Sequence, residues 1–338
     1  MSKETNQLMH LVQYYFQQYL SVERGLSQNT LLAYRDALKL FFLHESKQQK
    51  KSPHQLILDD FNADSVLLFL QQIENTRNNS IVTRNVRLAA LKTFSQFLLI
   101  RDIERSDEYQ RIMALPLKKE PHKVIDYMEA NEINTILAGI NRNTNLGQRD
   151  YVLLNVLYNT GARVQELCDL TVSSITLGKL PMVTLTGKGN KTRQVPIWAE
   201  TAELLSDYLQ NNQLLDKPTS KLFMNSSGHP ISRFGVRYII SKHVKTAEDS
   251  CSTLKQKKIG PHTFRHTIAM HLLQAGIDLS IIRSWLGHVS LMTTHAYIEI
   301  DMEMKRKVLT AYSPSDGYKS LQGFLDKNKD ILTWLESI

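Results

Sequence analysis

Six side chains in the second part of the chain have the types that chemistry at a phosphate requires. They are Arg163, Lys188, His262, Arg265, His288 and Tyr297. Arginine presents a rigid fork of N–H donors that matches phosphate oxygens, and lysine supplies a point charge or a proton. Histidine titrates near neutrality. The set therefore combines cations for a phosphate with groups that can move protons.

Tyr297 is the candidate nucleophile of this set. Surrounding positive charge lowers the free energy cost of forming a phenolate, and tyrosine can form covalent intermediates. The residue types together predict phosphoryl transfer through a phosphotyrosine, with side chains stabilising the charge in place of a metal. The competing interpretation of Tyr297 is a core aromatic residue.

Arg163 follows a predicted helix break. Residues 149–158 are apolar enough for a buried helix, which ends at Gly161, a residue suited to a left-handed C-terminal cap. The next helix is expected to carry Arg163 in its first turn and Glu166 three residues later. Glu166 either caps this helix or pairs with Arg163 as a local ion pair.

Lys188 lies in the turn of a predicted β-hairpin. Residues 182–186 and 193–197 alternate and contain β-branched side chains, and Gly-Lys-Gly-Asn-Lys separates them. The glycines on either side of Lys188 allow the backbone to approach a ligand closely. Lys191 and Arg193 are predicted to be auxiliary phosphate contacts.

A further helix is expected to begin at Pro261, with His262 and Arg265 one turn apart on the same face. The spacing of His262 and His266 could also ligate zinc, but Thr263 occupies the position of the glutamate in metalloprotease helices. No carboxylate follows at a useful spacing, so a metal site is not expected. Packing or supporting roles are expected for His266, His271 and His295.

His288 is expected to emerge from the C-terminus of a short helix. Asp278 caps the start of this helix, which covers residues 279–286, and Gly287 ends it. The negative end of the helix dipole favours a protonated imidazole, so His288 is predicted to carry charge.

The N-terminal part has the pattern of a small helical bundle. Apolar residues recur at helical spacing in four segments between residues 7 and 103. Polar and basic side chains gather at the helix starts, and each of them alone is typical of a solvated face. Residues 105–123 show no helical apolar period and contain two prolines, which predicts a linker.

Length and charge set outer limits on the interpretation. A chain of 338 residues suits about two domains. The formal net charge of +8 favours a polyanionic partner, and no apolar run approaches the ~18 residues of a membrane span. Two distant cysteines predict reduced thiols. These features together predict a soluble intracellular protein, and no membrane partner is expected.

Five motifs, in this order, resemble those of the tyrosine recombinases, also called the phage integrase family, and within it the Xer-like and transposon-type members. They are Thr-Gly-Ala-Arg-Val-Gln-Glu-Leu (160–167), Gly-Lys-Gly-Asn-Lys-Thr-Arg (187–193), His-Thr-Phe-Arg-His-Thr (262–267), Leu-Gly-His (286–288) and Tyr297. The resemblance implies a mainly α fold with a small β-sheet, in which two domains clamp DNA. The implied divisions are 1–104 for a SAM-like helical core-binding domain, 105–123 for the linker, 124–312 for the catalytic domain and 313–338 for an amphipathic tail helix.

The same resemblance implies that polar and basic side chains of the N-terminal bundle face DNA. The candidates are Thr30, Tyr34, Arg35, Thr83, Arg84 and Arg87. Phosphate contacts of this kind position a protein and carry little sequence information. The tail departs from the most compact members of the family. It is expected to dock into a neighbouring protomer, although packing within its own chain or over the active site stays open.

The resemblance also implies a role for each catalytic candidate. Tyr297 would attack the scissile phosphate and leave a 3′-phosphotyrosyl link and a free 5′-hydroxyl. Arg163 and Arg265 would hold the non-bridging oxygens, and Lys188 would protonate the departing 5′-oxygen. The two histidines would assist proton transfer at the nucleophile and donate a hydrogen bond to the phosphate, in the order His262 and His288.

No cofactor is expected, neither ATP nor a divalent metal, because the phosphotyrosine conserves the bond energy. Exchange of two strands at two sites needs four active sites and passes through a Holliday junction. The expected partners are double-stranded DNA with inverted-repeat target sites and further protomers in a homo-tetramer, or a related recombinase. The need for an accessory protein stays open.

Three alternatives also stay open. A type IB topoisomerase or a telomere resolvase would use the same chemistry, and a catalytically inactive sequence-specific DNA-binding protein would keep only the fold. A metal-dependent nuclease is the third, and it would stop in excess chelator. The completeness of the six-residue set favours a recombinase for integration, excision, transposition or dimer resolution, but no motif selects among these ends or gives the target sequence.

Overall fold

The computed structural model describes residues 3–119, 126–187 and 189–287. The chain divides into two compact units, Met1–His122 and Lys123–Ile338. No helix in the described ranges is both long enough and apolar enough to cross a membrane.

The first unit is helical. Its α-helices are α1 (Lys3–Tyr14), α2 (Gln28–Gln48), α3 (Ala63–Arg77), α4 (Ile81–Leu99) and α5 (Ser106–Ala114). A π-helix covers Tyr15–Glu23, and short 3-10 helices cover Pro53–Gln55, Leu58–Asp60 and Ile103–Arg105. The start of α4 is capped by Ser80, whose Oγ accepts a hydrogen bond from the Thr83 N–H at 3.3 Å.

Aromatic rings occupy the centre of the core of this unit. Phe61 packs edge to face on Phe41, with 5.3 Å between ring centroids, and on Phe94 at 5.2 Å. Tyr15 packs on Phe94 in the same way at 4.9 Å. All four rings are almost completely buried. Edge-to-face pairs contribute stabilisation beyond the burial of their area.

The sequence predicted an irregular linker over residues 105–123, but helix α5 occupies most of the first half of that range. Tyr109 and Ile112 are fully buried in the core of the first unit, and Tyr109 Oη donates to the buried Asp102 carboxylate at 2.6 Å. Two buried side chains in nine residues are too few to reveal a helical period. So short a helix depends on tertiary contacts for its stability, and the local sequence pattern does not reveal such contacts.

The second unit combines helices with a small sheet. Its elements are α6 (Ala130–Ala138), α7 (Asn145–Thr160), α8 (Val164–Asp169), β1 (Ile175–Thr176), β2 (Met182–Thr186), β3 (Thr192–Pro196), α9 (Ala199–Asn211), α10 (Arg233–Ala247), α11 (Pro261–Gln274) and α12 (Leu279–Leu286). Short 3-10 helices cover Val172–Ser174 and Ser252–Gln256. The mainly α fold with a small sheet is therefore confirmed.

The sheet is antiparallel with strand order β1-β2-β3. In the predicted hairpin, Thr186 lies opposite Thr192 and Leu185 lies opposite Arg193. Strand β3 begins one residue earlier than predicted. Strand β1 has only two residues and was not predicted, because so short a segment has no visible alternation.

Helix α7 is central to the second unit and packs against α9 and α11. Four of its apolar side chains are fully buried: Leu153, Leu154, Val156 and Leu157. The helix ends at the predicted left-handed cap, where Gly161 has a φ of 58°. A Cβ atom on Gly161 would lie 2.8 Å from Leu286 Cδ2 and 2.9 Å from Ile268 Cγ2. Both the backbone conformation and the close packing therefore require glycine.

Candidate active site

The connection between α7 and α8 presents Arg163. This residue is the N-cap of α8, with φ −67° and ψ 148°, and so precedes the first turn in which the sequence placed it. Its backbone N–H and its Nη1 donate to the Glu166 carboxylate at 2.8 and 2.9 Å. Glu166 therefore caps the helix and pairs with Arg163 at the same time, which unites the two alternatives.

Glu166 is shared with a second arginine, Arg193 of β3. Arg193 Nη1 and Nη2 donate to the two carboxylate oxygens at 2.9 and 2.8 Å. Burial raises the pKa of the Glu166 carboxyl, but hydrogen bonds from Arg193 and then from Arg163 outweigh this effect and bring the pKa below its usual range. Glu166 is thus a buried anion between two cations.

Arg265 reaches the same region from α11. This helix begins at Pro261 as predicted, and Arg265 follows His262 by one turn. The buried Arg265 guanidinium donates from Nη1 to the Gly161 carbonyl at 2.7 Å. The cap that ends α7 therefore anchors an arginine of α11.

The C-terminal end of α12 offers one carbonyl to each of three arginines. Of the consecutive carbonyls 285–287, the first accepts from Arg193 Nε at 2.9 Å, the second from Arg265 Nη2 and the third from Arg163 Nη2 at 3.2 Å. A helix C-terminus has unpaired carbonyls and partial negative charge, so cations stabilise it. The helix end thereby brings Arg163 and Arg265 to neighbouring peptide groups.

His262 is exposed and lies near enough to Arg163 and Arg265 for their charges to affect its pKa. Partial burial lowers the pKa of His262, and the charges of Arg265, Arg163 and Arg237 lower it further. The imidazole is therefore neutral near pH 7 and is able to accept a proton. Arg237 of α10 was not among the sequence candidates, since no local pattern connects it with His262.

Two further histidines of α11 are involved in packing. Burial lowers the pKa of His266 to about 4, and the charges of His262 and Arg265 contribute. His271 Nδ1 and Tyr158 Oη form a hydrogen bond of 2.7 Å between α11 and α7. Within the described ranges, no group of three or more His, Cys, Asp or Glu side chains could hold a metal ion.

Half of the predicted catalytic set lies outside the described residues. These residues are Lys188, His288 and Tyr297, and the predicted tail helix over residues 313–338 lies outside as well. The described parts of the chain reach Gly187 on one side and Gly287 on the other. They therefore include the immediate neighbours of Lys188 and His288.

Comparison with protein-family models decides the class of the chain. The phage integrase family model matches residues 126–304, and the model of the phage integrase N-terminal SAM-like domain matches residues 14–102. The chain belongs to the phage integrase family. It is a tyrosine recombinase, an enzyme of site-specific DNA recombination.

Individual relatives support this membership, because they match most of the length of the chain. A protein of Sinorhizobium fredii named as an integrase/recombinase, y4rC, is 32% identical over 331 residues, which cover 98% of each chain. Tyrosine recombinase XerC of Anoxybacillus flavithermus is 32% identical over 300 residues, or 87% of this chain and 94% of that one. The structure of XerH site-specific recombinase bound to palindromic difH substrate has the same fold, with a TM-score of 0.68, 22% identity and coverage of 90% of this chain and 88% of that chain.

Two of the predicted DNA contacts are arginines with little exposure that have partners within the protein. Arg193 is engaged by Glu166, and the buried Arg84 donates from Nη1 to the Pro116 carbonyl at 3.2 Å. Both side chains are thus held by the protein itself, and contact with DNA stays a prediction for each of them. Arg84 stands four residues before the buried Leu88, so helical periodicity already placed it on the inner face of α4.

The other DNA-contact candidates keep at least part of their side chains accessible. They are Thr30, Tyr34, Arg35, Thr83, Arg87 and Lys191. The exposed Arg35 pairs with its neighbour Asp36 at 2.7 Å. Arg87 Nη1 is buried and has no hydrogen-bond partner in the described part of the chain. A buried donor of this kind is satisfied if an acceptor such as a phosphate oxygen reaches it.

Proposed function

We propose that this recombinase cleaves and rejoins duplex DNA through a 3′-phosphotyrosyl intermediate. The observation that supports this most directly is the placement of Arg163 and Arg265, whose guanidinium groups donate to the adjacent carbonyls 287 and 286. Two neighbouring guanidinium groups suit the non-bridging oxygens of a phosphodiester. They also neutralise the charge that grows on those oxygens in the transition state.

The proposed first step is attack by Tyr297. Its phenolic oxygen forms a bond to phosphorus while the bond between phosphorus and the 5′-oxygen breaks. His262, which is neutral because of its lowered pKa, accepts the phenolic proton. Lys188 donates a proton to the departing 5′-oxygen, and the products are a 3′-phosphotyrosyl link and a 5′-hydroxyl.

The reverse reaction joins strands. A 5′-hydroxyl from the partner duplex attacks the phosphotyrosine, and His288 donates a hydrogen bond to the phosphate in both directions. Two exchanges at two sites proceed through a Holliday junction and need four nucleophiles. We therefore propose a tetramer of this chain, or of this chain with a related recombinase, on two duplexes with inverted-repeat sites.

The exposed face of α10 is a further DNA-contact candidate in this proposal. Phe234 and Tyr238, one turn apart, are 77% and 70% exposed. Arg233 and Arg237 alternate with them along the helix. Cations bind phosphates without sequence preference, whereas exposed aromatic rings offer apolar contact to bases.

The test uses DNA that flanks the gene of this protein, nicked near candidate inverted repeats so that cleavage releases a short strand. The full chain is incubated with this DNA in excess chelator and run on a denaturing gel beside Tyr297→Phe. The expected result is a covalent protein–DNA adduct for the wild-type chain that is absent for Tyr297→Phe. Sequencing the trapped strand then gives the cleavage site.

Tyr318→Phe is the matched control, because it removes a tyrosine hydroxyl outside the motif spacing. It is expected to form the adduct. Retardation on a native gel without any adduct would favour a DNA-binding protein without catalysis on this DNA. An adduct that persists in Tyr297→Phe would assign the nucleophile to another residue.

A further inference from the structure

Arg193 lies on the inner face of its strand. Side chains alternate along a β-strand, so Arg193 shares a face with Val195, which is fully buried. Leu185, its cross-strand partner, is also fully buried. Thr192 and Gln194, on the other face, are exposed. The Arg193 side chain is 13% exposed, which is little for an arginine that binds a phosphate.

The three nitrogens of the Arg193 guanidinium all have partners. Nη1 and Nη2 bind the two oxygens of Glu166, and Nε donates to the Trp285 carbonyl at 2.9 Å. The planar fork of arginine permits this arrangement, whereas lysine has a single point charge. Arg193 therefore joins β3 to the start of α8 and to the end of α12.

Two glycines leave room for this ion pair. A Cβ atom on Gly187 would lie 3.0 Å from Glu166 Oε1, and one on Gly287 would lie 3.0 Å from Arg193 Cδ. The backbone of Gly187, just before Lys188, and the backbone of Gly287, just before His288, therefore lie close to the ion pair. Side-chain bulk at either glycine would push the ion pair away from the backbone.

We propose that Arg193 is a positioning residue for the catalytic set and not a contact to DNA phosphate. It ties together the three segments that contain Lys188, Arg163 and His288, by way of Glu166 and the Trp285 carbonyl. This assignment rests on the proposed function, because it concerns the geometry of the same site. Arg193 acts through these groups and does not touch the substrate.

The role has a consequence for pH dependence. Without the Arg193 guanidinium, Glu166 stays buried but loses two of the hydrogen bonds that keep it ionised, so its pKa rises. Protonated Glu166 holds Arg163 less firmly. A variant without the cation is therefore expected to lose cleavage activity steeply as the pH falls, over a range in which the wild-type rate changes little.

Salt dependence separates a positioning residue from a phosphate contact. The logarithm of the DNA association constant falls with the logarithm of salt concentration by about 0.9 for each phosphate that is neutralised. Arg193→Met should leave this slope unchanged. Lys191→Met, which removes an exposed cation two residues away, should reduce the slope by about 0.9 if it contacts one phosphate.

The experiment compares four full-length proteins: the wild type, Arg193→Met, Arg193→Lys and Lys191→Met. For each protein it measures the salt dependence of DNA binding and the pH dependence of single-turnover cleavage of the nicked duplex. We expect Arg193→Met to keep the wild-type salt slope and to cleave about 100-fold more slowly at neutral pH. Its cleavage rate should also fall steeply as the pH decreases. Arg193→Lys restores a charge beside Glu166, so it should cleave at an intermediate rate without this steep fall at low pH. If Arg193→Met does not fold, Arg193→Lys still tests the need for the fork through its rate.

Two results would overturn the assignment. A salt slope that falls in Arg193→Met as much as in Lys191→Met would make Arg193 a phosphate contact. A loss of cleavage that is equal at every pH, together with a lowered melting temperature, would leave Arg193 a merely structural residue. Failure of the proposed function would instead appear in the wild-type chain, as the absence of any adduct.

Discussion

The Glu166 carboxylate and the Arg193 guanidinium face each other through two hydrogen bonds of 2.9 and 2.8 Å, and the Glu166 side chain is 2% exposed. The two residues are 27 positions apart and belong to different elements. A buried pair with this two-bond geometry orders its surroundings, because removal of either partner leaves the other charge without compensation. The candidate active site of this recombinase is therefore organised around the buried Glu166 carboxylate.

Neutralising this anion should destabilise the second unit. Glu166→Gln keeps the shape of the side chain but leaves two arginines around a neutral amide, one of whose N–H groups faces a cation. We expect a loss of about 3 kcal/mol in the free energy of unfolding, the range for breaking a buried ion pair. Urea denaturation that follows the second unit measures this loss.

Asp169→Asn is the matched control in the same helix. The Asp169 side chain is 51% exposed and lies 3.6 Å from Lys221 Nζ, so the change should cost less than about 0.5 kcal/mol. Equal stability of the two variants would show that the Glu166 charge contributes nothing beyond a surface carboxylate.

Gly161 couples the end of α7 to α11 and α12. Gly161→Ala would strain a backbone with a φ of 58° and would force a Cβ atom to 2.8 Å from Leu286 Cδ2. We expect a destabilisation of about 3 kcal/mol, from left-handed strain of about 1 kcal/mol and overpacking of about 2 kcal/mol. The Gly161 carbonyl should also shift, so cleavage should fall because Arg265 loses its anchor.

Gly228→Ala isolates the strain from the overpacking. Gly228 has a φ of 75°, and a Cβ atom there would meet no atom within 4 Å. Its cost should be about 1 kcal/mol, with unchanged cleavage. A thermal unfolding series in which both alanine variants lose the same stability would contradict the packing explanation for Gly161.

Several boundaries in the active-site region could be predicted because local chemistry determines them. Glycine at position 161 ends α7 in the left-handed region, and proline at position 261 starts α11. The Asp278 side chain accepts from the Ser280 N–H at 2.7 Å and fixes the start of α12. Each signal lies within a few residues of the boundary that it sets.

The ion pair of Glu166 and Arg193 could not be predicted in the same way, because it depends on how a strand packs against a helix start. A partial signal was present, since alternation places Arg193 on the same face as Val195. An arginine on the inner face of a strand needs an anion, and the sequence did not show which one. The burial of Tyr109 in α5 likewise depends on contacts distant along the chain.

Membership of α5 in the first core can be measured directly. Ile112 is fully buried, whereas the nearby Ile103 is 79% exposed. Ile112→Ala should destabilise the first unit by about 3 kcal/mol, because it removes apolar contacts and leaves a cavity. Ile103→Ala should cost less than about 0.5 kcal/mol. Similar small losses for both variants in urea denaturation would return residues 106–114 to the role of a linker.

His266 should make the stability of the recombinase dependent on pH. Burial lowers the pKa of His266 to about 4, whereas an unfolded histidine titrates near ~6.5. Between these values the unfolded chain binds the proton and the folded chain does not, so unfolding is favoured as the pH falls. The stabilisation is complete above about pH 6.5 and is lost on acidification towards pH 4, by about 2 kcal/mol after allowance for partial exposure.

A neutral side chain at this position removes the titration. His266→Gln should therefore lose less stability than the wild type when urea denaturation at pH 7 is compared with that at pH 4.5. His229→Gln is the control, because His229 is an exposed histidine in the same unit, and this variant should follow the wild type. If His266→Gln also follows the wild type over this range, the acid sensitivity belongs to other groups, and the His266 ring is protonated in the folded protein at no great cost.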